Sequence, residues 1–140
     1  MTRSRVLGID YGTKRVGVAI ADPMRMFAQP VGTYSPNESL EVIGRIHDED
    51  GVEVVVIGWP VGEDGSTGKM TKLVGEYINR IRKRIPGVEF VRMDERNSSE
   101  RAKELIRNSE RPSLKTTGRE RIDTAAAGIL LQEYLDEASN

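Results

Sequence analysis

Acidic residues occur at three points of the chain where they could hold a metal ion. Asp10 ends an apolar run near the start, Asp94 and Glu95 follow a second apolar run, and Asp123 lies near the start of the last periodic segment. The chain has no cysteine and one histidine, so the available ligands are carboxylate oxygens, which suit Mg²⁺ or Mn²⁺. Two such ions roughly 3.5–4 Å apart can activate a water and stabilise the leaving oxygen of a phosphodiester. If the fold brings these acids together, they indicate metal-dependent hydrolysis.

Each acid also has an ordinary explanation when it is taken alone. An aspartate in the first turns of a helix, as expected for Asp123, interacts favourably with the helix dipole. A carboxylate in a loop commonly has no function. The combination favours a site, and because the carboxylates would repel one another, we expect them to be incompletely organised without metal.

A short turn follows the first acid and leads into a strand of alternating apolar residues. Its residues are Gly12, Thr13, Lys14 and Arg15. The glycine keeps the turn small, so that a phosphate backbone could approach Asp10 and the two basic residues could contact it. Arg96, directly after Glu95, could do the same. For each of these basic residues a surface ion pair is an equally good explanation, and phosphate contacts would confer affinity without sequence preference.

Length and composition restrict the class of protein. At 140 residues the chain is expected to form one domain, residues 1–140. Its 37% hydrophobic and 31% charged residues are typical of a soluble globular protein. We expect no membrane association, since no apolar run approaches the roughly 20 residues that span a bilayer. The absence of cysteine and of a secretory signal pattern predicts a cytoplasmic protein.

The net charge of −1 conceals an uneven distribution. Between Arg80 and Arg121 there are 13 Lys or Arg residues against 7 Asp or Glu, whereas the remainder has 8 against 15. This asymmetry predicts a face that could hold a polyanionic substrate. Solvated helix faces that happen to be rich in basic residues remain the alternative.

Hydrophobic patterning predicts an α/β fold with a mixed five-stranded sheet flanked by helices. The predicted strands are 5–10, 15–21, 27–34, 52–57 and 88–93, and the predicted helices are 36–50, 70–85, a short one within 97–106, and 117–134. The first three strands form a meander in which Pro30 predicts an edge position for the third. Right-handed crossovers then place strands 4 and 5 beyond strand 1 and parallel to it. Ligands bind at the carboxyl ends of such strands, where Asp10 and the pair Asp94-Glu95 are expected.

The last predicted helix carries Asp123 on the face of its apolar stripe. Three successive alanines, 125–127, would let this helix approach the sheet closely. Asp123 could then project over the strand ends instead of into water.

Four segments resemble, in order and spacing, the YqgF/RuvX family of Holliday-junction resolvases over nearly the whole chain. They are GIDYGTKRVGVAIAD (8–22), GWPVGEDGSTG (58–68), DER (94–96) and IDTAAAGILLQEYL (122–135). The resemblance implies an RNase H-like fold and a nuclease that resolves four-way DNA junctions or trims the 5′ end of precursor 16S ribosomal RNA. It also implies that Asp10, Glu95 and Asp123 are the catalytic acids and metal ligands.

The chain departs from this family at several positions. Trp59 stands where the family commonly has leucine, and Asn97-Ser98 where it commonly has Leu-Thr. Trp59 could stack on a base or anchor a loop in the core. Related resolvases carry an acid on strand 4, whereas here the strand is expected to end at Gly58, so we expect one metal to be held firmly and the second only with substrate.

Other interpretations remain open. The Asp-x-Gly-Thr pattern also resembles the phosphate loop of actin-like kinases, which need a second domain that 140 residues cannot supply. The segment 62–68 lacks the ending of a P-loop and is interpreted as a flexible loop over the site. The main rival to a nuclease is an RNase H-like scaffold that binds RNA or a protein without catalysis. His47 is expected at the surface, and the sequence leaves open DNA against RNA and monomer against homodimer, although symmetric junction cleavage calls for two sites.

Overall fold

The structure, a computed structural model, describes residues 4–59, 68–94 and 118–138, without the side chains of residues 94 and 118–124. Its elements in chain order are β1 (Arg5–Tyr11), β2 (Val16–Ala21), β3 (Ala28–Tyr34), α1 (Pro36–Asp50), β4 (Val52–Trp59), α2 (Lys69–Arg84), β5 (Glu89–Asp94) and α3 (Gly118–Ala138). This is the predicted order, with most ends shifted by one or two residues. The predicted short helix within 97–106, the polar loop 109–116 and nearly all of segment 62–68 lie outside the described residues.

The five strands form one mixed sheet in the order β3-β2-β1-β4-β5. β2 runs antiparallel to both β1 and β3, whereas β1, β4 and β5 are parallel. This confirms the predicted meander with strands 4 and 5 beyond strand 1. Since β1, β4 and β5 are parallel, they end at the same edge of the sheet, which we call the carboxyl edge and define by Tyr11, Trp59 and Asp94.

The edge strand β3 carries Pro30, as predicted. Pro30 lies opposite Ala19 of β2. The backbone N–H of Ala28, two residues earlier, donates to Oε1 of Gln132 on α3 at 2.9 Å, so it points away from β2. By the alternation of a strand, Pro30 also presents its nitrogen outward, where no ladder hydrogen bond is lost. The outer edge of β3 therefore offers little in this part to another strand.

Both faces of the sheet are covered by helices. α1 and α2 pack on one face, where the largest buried side chains are Leu7, Ile9, Ile57, Tyr77, Ile78 and Ile81. α3 packs on the other face, which we call the α3 face, against Val6, Ala19, Ala21, Val54 and Val56. Residues 54–57 of β4, a β-branched run in the sequence, are buried on both sides, as is typical of a central strand.

α1 begins with a capping box, which the spacing of Ser35 and Glu38 in the sequence indicates. The Glu38 backbone N–H donates to Oγ of Ser35 at 3.2 Å, and the Ser35 N–H donates to Oε1 of Glu38 at 3.3 Å. Pro36 occupies the first turn, where its missing N–H costs nothing. The backbone N–H groups of Ser35 and Glu38 thus both have hydrogen-bond acceptors within the first turn of the helix.

The prediction that His47 is a surface residue is wrong. Its ring is half-buried, and its Nδ1 accepts a hydrogen bond from the Val52 backbone N–H at 3.0 Å. α1 ends at Gly51, whose N–H returns to the carbonyl of His47 at 2.8 Å. The acidic neighbours of His47 suggested a solvated position, but the chain reverses direction after Gly51 and brings β4 against the imidazole.

Apolar residues recur at helical spacing from Met70 to Ile85, and α2 buries most of this stripe but not its first member. Val74, Tyr77, Ile78 and Ile81 are buried, while Met70 is 38% exposed. In the first turn the buried residue is Thr71, whose hydroxyl donates to the carbonyl of Gly68. The first turn of α2 therefore contacts the core through Thr71, and the apolar stripe is buried from Val74 onwards.

A buried polar pair joins α1 and α2. Ser39 Oγ donates to the carbonyl of Pro36 at 2.7 Å and lies 2.6 Å from the hydroxyl of Tyr77. Since the serine has one proton, the tyrosine acts as the donor between the two. The ring of Tyr77 also lies 4.6 Å from that of Tyr11, centroid to centroid, so this pair supports the end of β1.

Burial raises the pKa of the Tyr77 hydroxyl to about 12. The unfolded chain ionises this group near pH 10, so the contribution of Tyr77 to stability is intact below pH 10 and is lost as the pH rises towards 12. We expect a loss of about 2–3 kcal/mol across this window. Urea unfolding at pH 9, 10 and 11 should show a steeper decline for the unmodified protein than for Tyr77→Phe. Parallel declines would contradict this assignment.

None of the helices in the described ranges combines the length and apolar composition needed to cross a bilayer.

Candidate functional site

Asp10 is half-buried near the end of β1, opposite Gly17 of β2. Side chains alternate along a strand. Leu7 and Ile9 belong to the core under α1 and α2, whereas Val6 packs under α3. Asp10 therefore projects from the α3 face, at the carboxyl edge, as the sequence predicted for a site residue.

α3 lies directly against β1 at Gly8, two residues before Asp10 on the same face. A Cβ added to Gly8 would lie 2.7 Å from Cβ of Leu131 and 2.8 Å from the carbonyl oxygen of Ala127. Only glycine permits this approach. The close packing predicted from the successive alanines is confirmed, because Ala126 and Ala127 are buried.

The direction of α3 follows from its contacts. Gln132 binds Ala28 and Met26 at the start of β3, which is the end of the sheet opposite the carboxyl edge. Ala127, earlier in α3, lies at Gly8, so the N-terminal part of the helix runs towards the carboxyl edge. Asp123 belongs to α3 and precedes Ala127 by four residues, about 6 Å along the axis.

β4 contributes backbone but no side chain beside Asp10. The strand continues to Trp59, so the expectation that it ends at Gly58 is wrong by one residue. Ile9 pairs with Ile57, which places Gly58 next to Asp10. By alternation Gly58 faces α3, as Val56 does. A second acidic ligand on this face must therefore come from β5 or α3.

β5 lies beyond β4, two strand spacings or about 10 Å from β1. Val91 and Met93 pack on the α3 face, and Asp94 is the last residue of the strand. Glu95 and Arg96 lie outside the described residues, as does the side chain of Asp123. The structure thus describes fully one of the three predicted acids and the backbone position of another.

The turn between β1 and β2 is compact at Gly12. A Cβ there would meet the carbonyl oxygen of Arg15 at 2.7 Å. Thr13 and Lys14 are exposed and Arg15 is half-buried. The turn directly follows Tyr11, so two exposed polar side chains lie close to Asp10 at the carboxyl edge.

The acidic side chains that could bind a metal ion together with Asp10 offer oxygen atoms as ligands. The one histidine of the chain is at the end of α1, where it binds the first residue of β4, at the end of the sheet opposite Asp10. The chain has no cysteine. This donor chemistry fits Mg²⁺ or Mn²⁺ better than zinc. Among the side chains that the structure describes, no three acidic or histidine residues group as a metal site, and Glu95 and Asp123 are not in that set.

A pair that the sequence did not predict lies at the carboxyl edge on the opposite face. The guanidinium carbon of Arg92 lies 4.2 Å from the centroid of the Trp59 ring. Trp59 is half-buried and packs against the core under α2. Arg92 is exposed. The polar residue in the alternating pattern of β5 was a signal for an outward-facing side chain, but its partner is 33 positions away in the sequence.

The basic residues of the segment 80–121 that belong to α2 lie on the face of the sheet opposite Asp10. α2 leads from the carboxyl edge back to the start of β5, so Lys83 and Arg84 at its end lie towards the other end of the sheet, whereas Arg80 donates to Asn37 in the first turn of α1. Arg84 binds Asp48, near the end of α1, at 3.4 Å. Most of the segment 80–121 lies outside the described residues, so the basic face that could hold a polyanionic substrate stays a prediction.

Comparisons with known proteins agree with this fold. The model of the RuvX family, described as Holliday junction resolvase, matches residues 4–137. A Salinibacter ruber protein, provisionally named pre-16S rRNA nuclease, is 47% identical over 135 residues, 96% of this chain and 94% of that protein. A Chlorobaculum tepidum protein with the same provisional name is 40% identical over 138 residues, 99% of this chain and 97% of that one.

Among solved structures, Thermus thermophilus RuvC in complex with a Holliday junction substrate is similar with a TM-score of 0.60. The two chains are 12% identical, and the match covers 97% of this chain and 96% of the other. At this identity the likeness shows the fold, which is RNase H-like, as predicted.

Proposed function

Because the chain belongs to the RuvX family, we propose that it is a metal-dependent endonuclease that hydrolyses phosphodiester bonds in structured nucleic acid. The observation that carries the proposal is the position of Asp10, a half-buried carboxylate at a strand end on the face that α3 covers. Its substrates are four-way DNA junctions, the 5′ region of precursor 16S ribosomal RNA, or both. The names of the relatives support the RNA substrate, and the family description supports the junction.

Three acids form the proposed catalytic site: Asp10, Glu95 and Asp123. The course of α3 supports Asp123, because the helix heads for the carboxyl edge at the level of Gly8. Alternation along β5 supports Glu95 over Asp94, since Val91 and Met93 pack on the α3 face and odd-numbered positions share it.

The acids are the proposed ligands of Mg²⁺ or Mn²⁺. When bound, such ions supply an activated water and stabilise the charge on the leaving oxygen. Asp10 contributes a carboxylate whose backbone pairs with Gly17 of β2 and directly follows Ile9, which pairs with Ile57 of β4, so its position is set by the sheet. Gly58, the neighbour of Asp10 on β4, contributes no side chain to this site. Without a β4 carboxylate, we infer that one ion binds firmly and the second only together with substrate.

The turn of Gly12, Thr13, Lys14 and Arg15, together with Arg96, is the proposed contact to the phosphate backbone. Exposure of Thr13 and Lys14 next to the carboxyl edge supports it. Lys14→Ala should weaken binding of junction and RNA alike and reduce the slope of log K against log salt by about 0.7–0.9. Lys83→Ala, which removes the same charge from an exposed position late in α2, is the matched control. Equal effects of both changes would show that Lys14 acts only through net charge.

The proposed function is tested by cleavage of both substrates in parallel. A four-way DNA junction and a precursor 16S rRNA duplex end are each incubated with Mg²⁺, Mn²⁺ or a chelator. We expect cleavage that depends on metal, and the substrate that is cut names the class. Binding of both without cleavage under every condition would contradict the nuclease and favour the rival, a non-catalytic RNase H-like scaffold.

A further inference from the structure

Two arginine–aromatic pairs lie on the face of the sheet that α1 and α2 cover, but only one of them is at the carboxyl edge. Arg92 covers Trp59 with a distance of 4.2 Å from guanidinium carbon to ring centroid. Arg82 of α2 covers Phe90 at 5.0 Å. Phe90 is two residues earlier in β5 than Arg92, on the same face, so the pairs are alike in chemistry and differ in place.

Within the described part of the chain, Arg92 makes no salt bridge to a carboxylate. Its side chain is exposed, and its guanidinium lies over the indole ring of Trp59. A guanidinium fixed on an aromatic ring has lost much of its freedom before a ligand arrives, which lowers the entropic cost of binding. Its N–H donors remain available for an anion.

The pair lies at the same edge of the sheet as the proposed site, on the opposite face. Trp59 directly follows Gly58, the neighbour of Asp10 on β4, and Arg92 is on the adjacent strand. The two strand spacings from β1 to β5 are about 10 Å. Because Asp10 and the stack lie on opposite faces, a nucleic-acid strand with a phosphate at Asp10 would cross this edge of the sheet to place a nearby nucleotide at the stack.

We propose that Arg92 and Trp59 form a binding site for an unpaired nucleotide of the nucleic-acid substrate. The base stacks on the open face of the guanidinium, so that base, guanidinium and indole lie in layers, and the flanking phosphate accepts hydrogen bonds from its N–H groups. Unpaired bases are bound in this way on arginine and aromatic planes. A base inside a duplex is already stacked and cannot enter. The proposal rests on the proposed function for its ligand, a nucleic acid, and adds the requirement for an unpaired segment.

Trp59 is the one tryptophan of the chain, so the fluorescence of the unmodified protein reports on this site. The titrant is a 12-nucleotide oligodeoxythymidylate, with a 12-base-pair duplex as comparison, both in chelator so that no cleavage occurs. We expect saturable quenching by the single strand and markedly weaker quenching by the duplex. Arg92→Gln should weaken single-strand binding by about 5- to 100-fold, the range for one stacked base.

Arg82→Gln is the matched control and should leave the affinity unchanged within about twofold. Trp59→Leu, followed by anisotropy of a labelled oligonucleotide, should weaken single-strand binding as Arg92→Gln does. Thermal unfolding of each variant establishes that it is folded.

Quenching that is equal for single strand and duplex, or equal losses in Arg92→Gln and Arg82→Gln, would overturn the nucleotide site. So would the absence of quenching. These outcomes are independent of cleavage: a protein that never cuts but shows the expected quenching retains the nucleotide site and loses the nuclease.

Discussion

Asp10→Asn is expected to fold as the unmodified protein does and to lose metal-dependent cleavage by about 10²- to 10⁴-fold, which corresponds to several kcal/mol of transition-state stabilisation. Asparagine has nearly the same shape as aspartate but no charge, so it is a poor ligand for a hard cation. The β1 ladder, including the pairing with Gly17, does not involve the side chain. The loss should appear in the rate constant of single-turnover cleavage of the substrate identified above. Oligonucleotide binding in chelator should be retained.

The matched control is Asp22→Asn, at the other end of the sheet. The Asp22 carboxylate accepts hydrogen bonds from the backbone N–H groups of Met26 at 2.8 Å and Phe27 at 2.6 Å, and the bond from Phe27 is the main cause that holds its pKa below the usual value. We expect this change to lower stability and to leave kcat intact, the reverse of Asp10→Asn. Full cleavage by Asp10→Asn would contradict the proposed mechanism.

Gly8→Ala is expected to destabilise the protein by about 1–3 kcal/mol or more and to reduce cleavage beyond the loss of folded protein. The added methyl group would lie 2.7 Å from Cβ of Leu131 and 2.8 Å from the backbone carbonyl of Ala127. Neither is the end of a flexible side chain, so α3 must move away from β1. Since Asp123 belongs to the same rigid helix, its position relative to Asp10 should change with it.

Gly128→Ala is the control: it adds the same methyl group to α3 at a position that does not contact β1. A Cβ at Gly128 has no neighbour within 4 Å, and replacing glycine by alanine within a helix contributes about 0.5–1 kcal/mol of stability. Urea unfolding and single-turnover cleavage should be measured for both variants. A neutral Gly8→Ala would mean that α3 does not contact β1 as the structure shows.

Much of the fold was readable from the sequence because the responsible interactions are local. The capping box of Ser35 and Glu38, the helix end at Gly51 and the edge position of Pro30 each depend on residues a few positions apart or on the missing N–H of proline. The β-branched run of β4 also predicted its central position. The order of the parallel strands followed from the handedness of crossovers.

For the site, the sequence determined which acids were candidates and that Asp10 ends a strand. It did not determine what surrounds them. Gly8 became important only when α3 was seen to lie against it, a contact between residues more than 100 positions apart. The pairing of Arg84 with Asp48 and of Arg92 with Trp59 likewise depends on the direction of α2 and the register of β5.

What the sequence by itself determined about this protein was the identity of its elements, their order and the residue types available for chemistry, because backbone hydrogen bonding, side-chain period and capping act over a few residues. The tertiary structure decided which face Asp10 occupies, that β4 offers only Gly58 beside it, and that His47 serves a backbone N–H and not a site. These outcomes depend on how separate elements pack, and that packing minimises free energy over the whole chain, so no short segment specifies it.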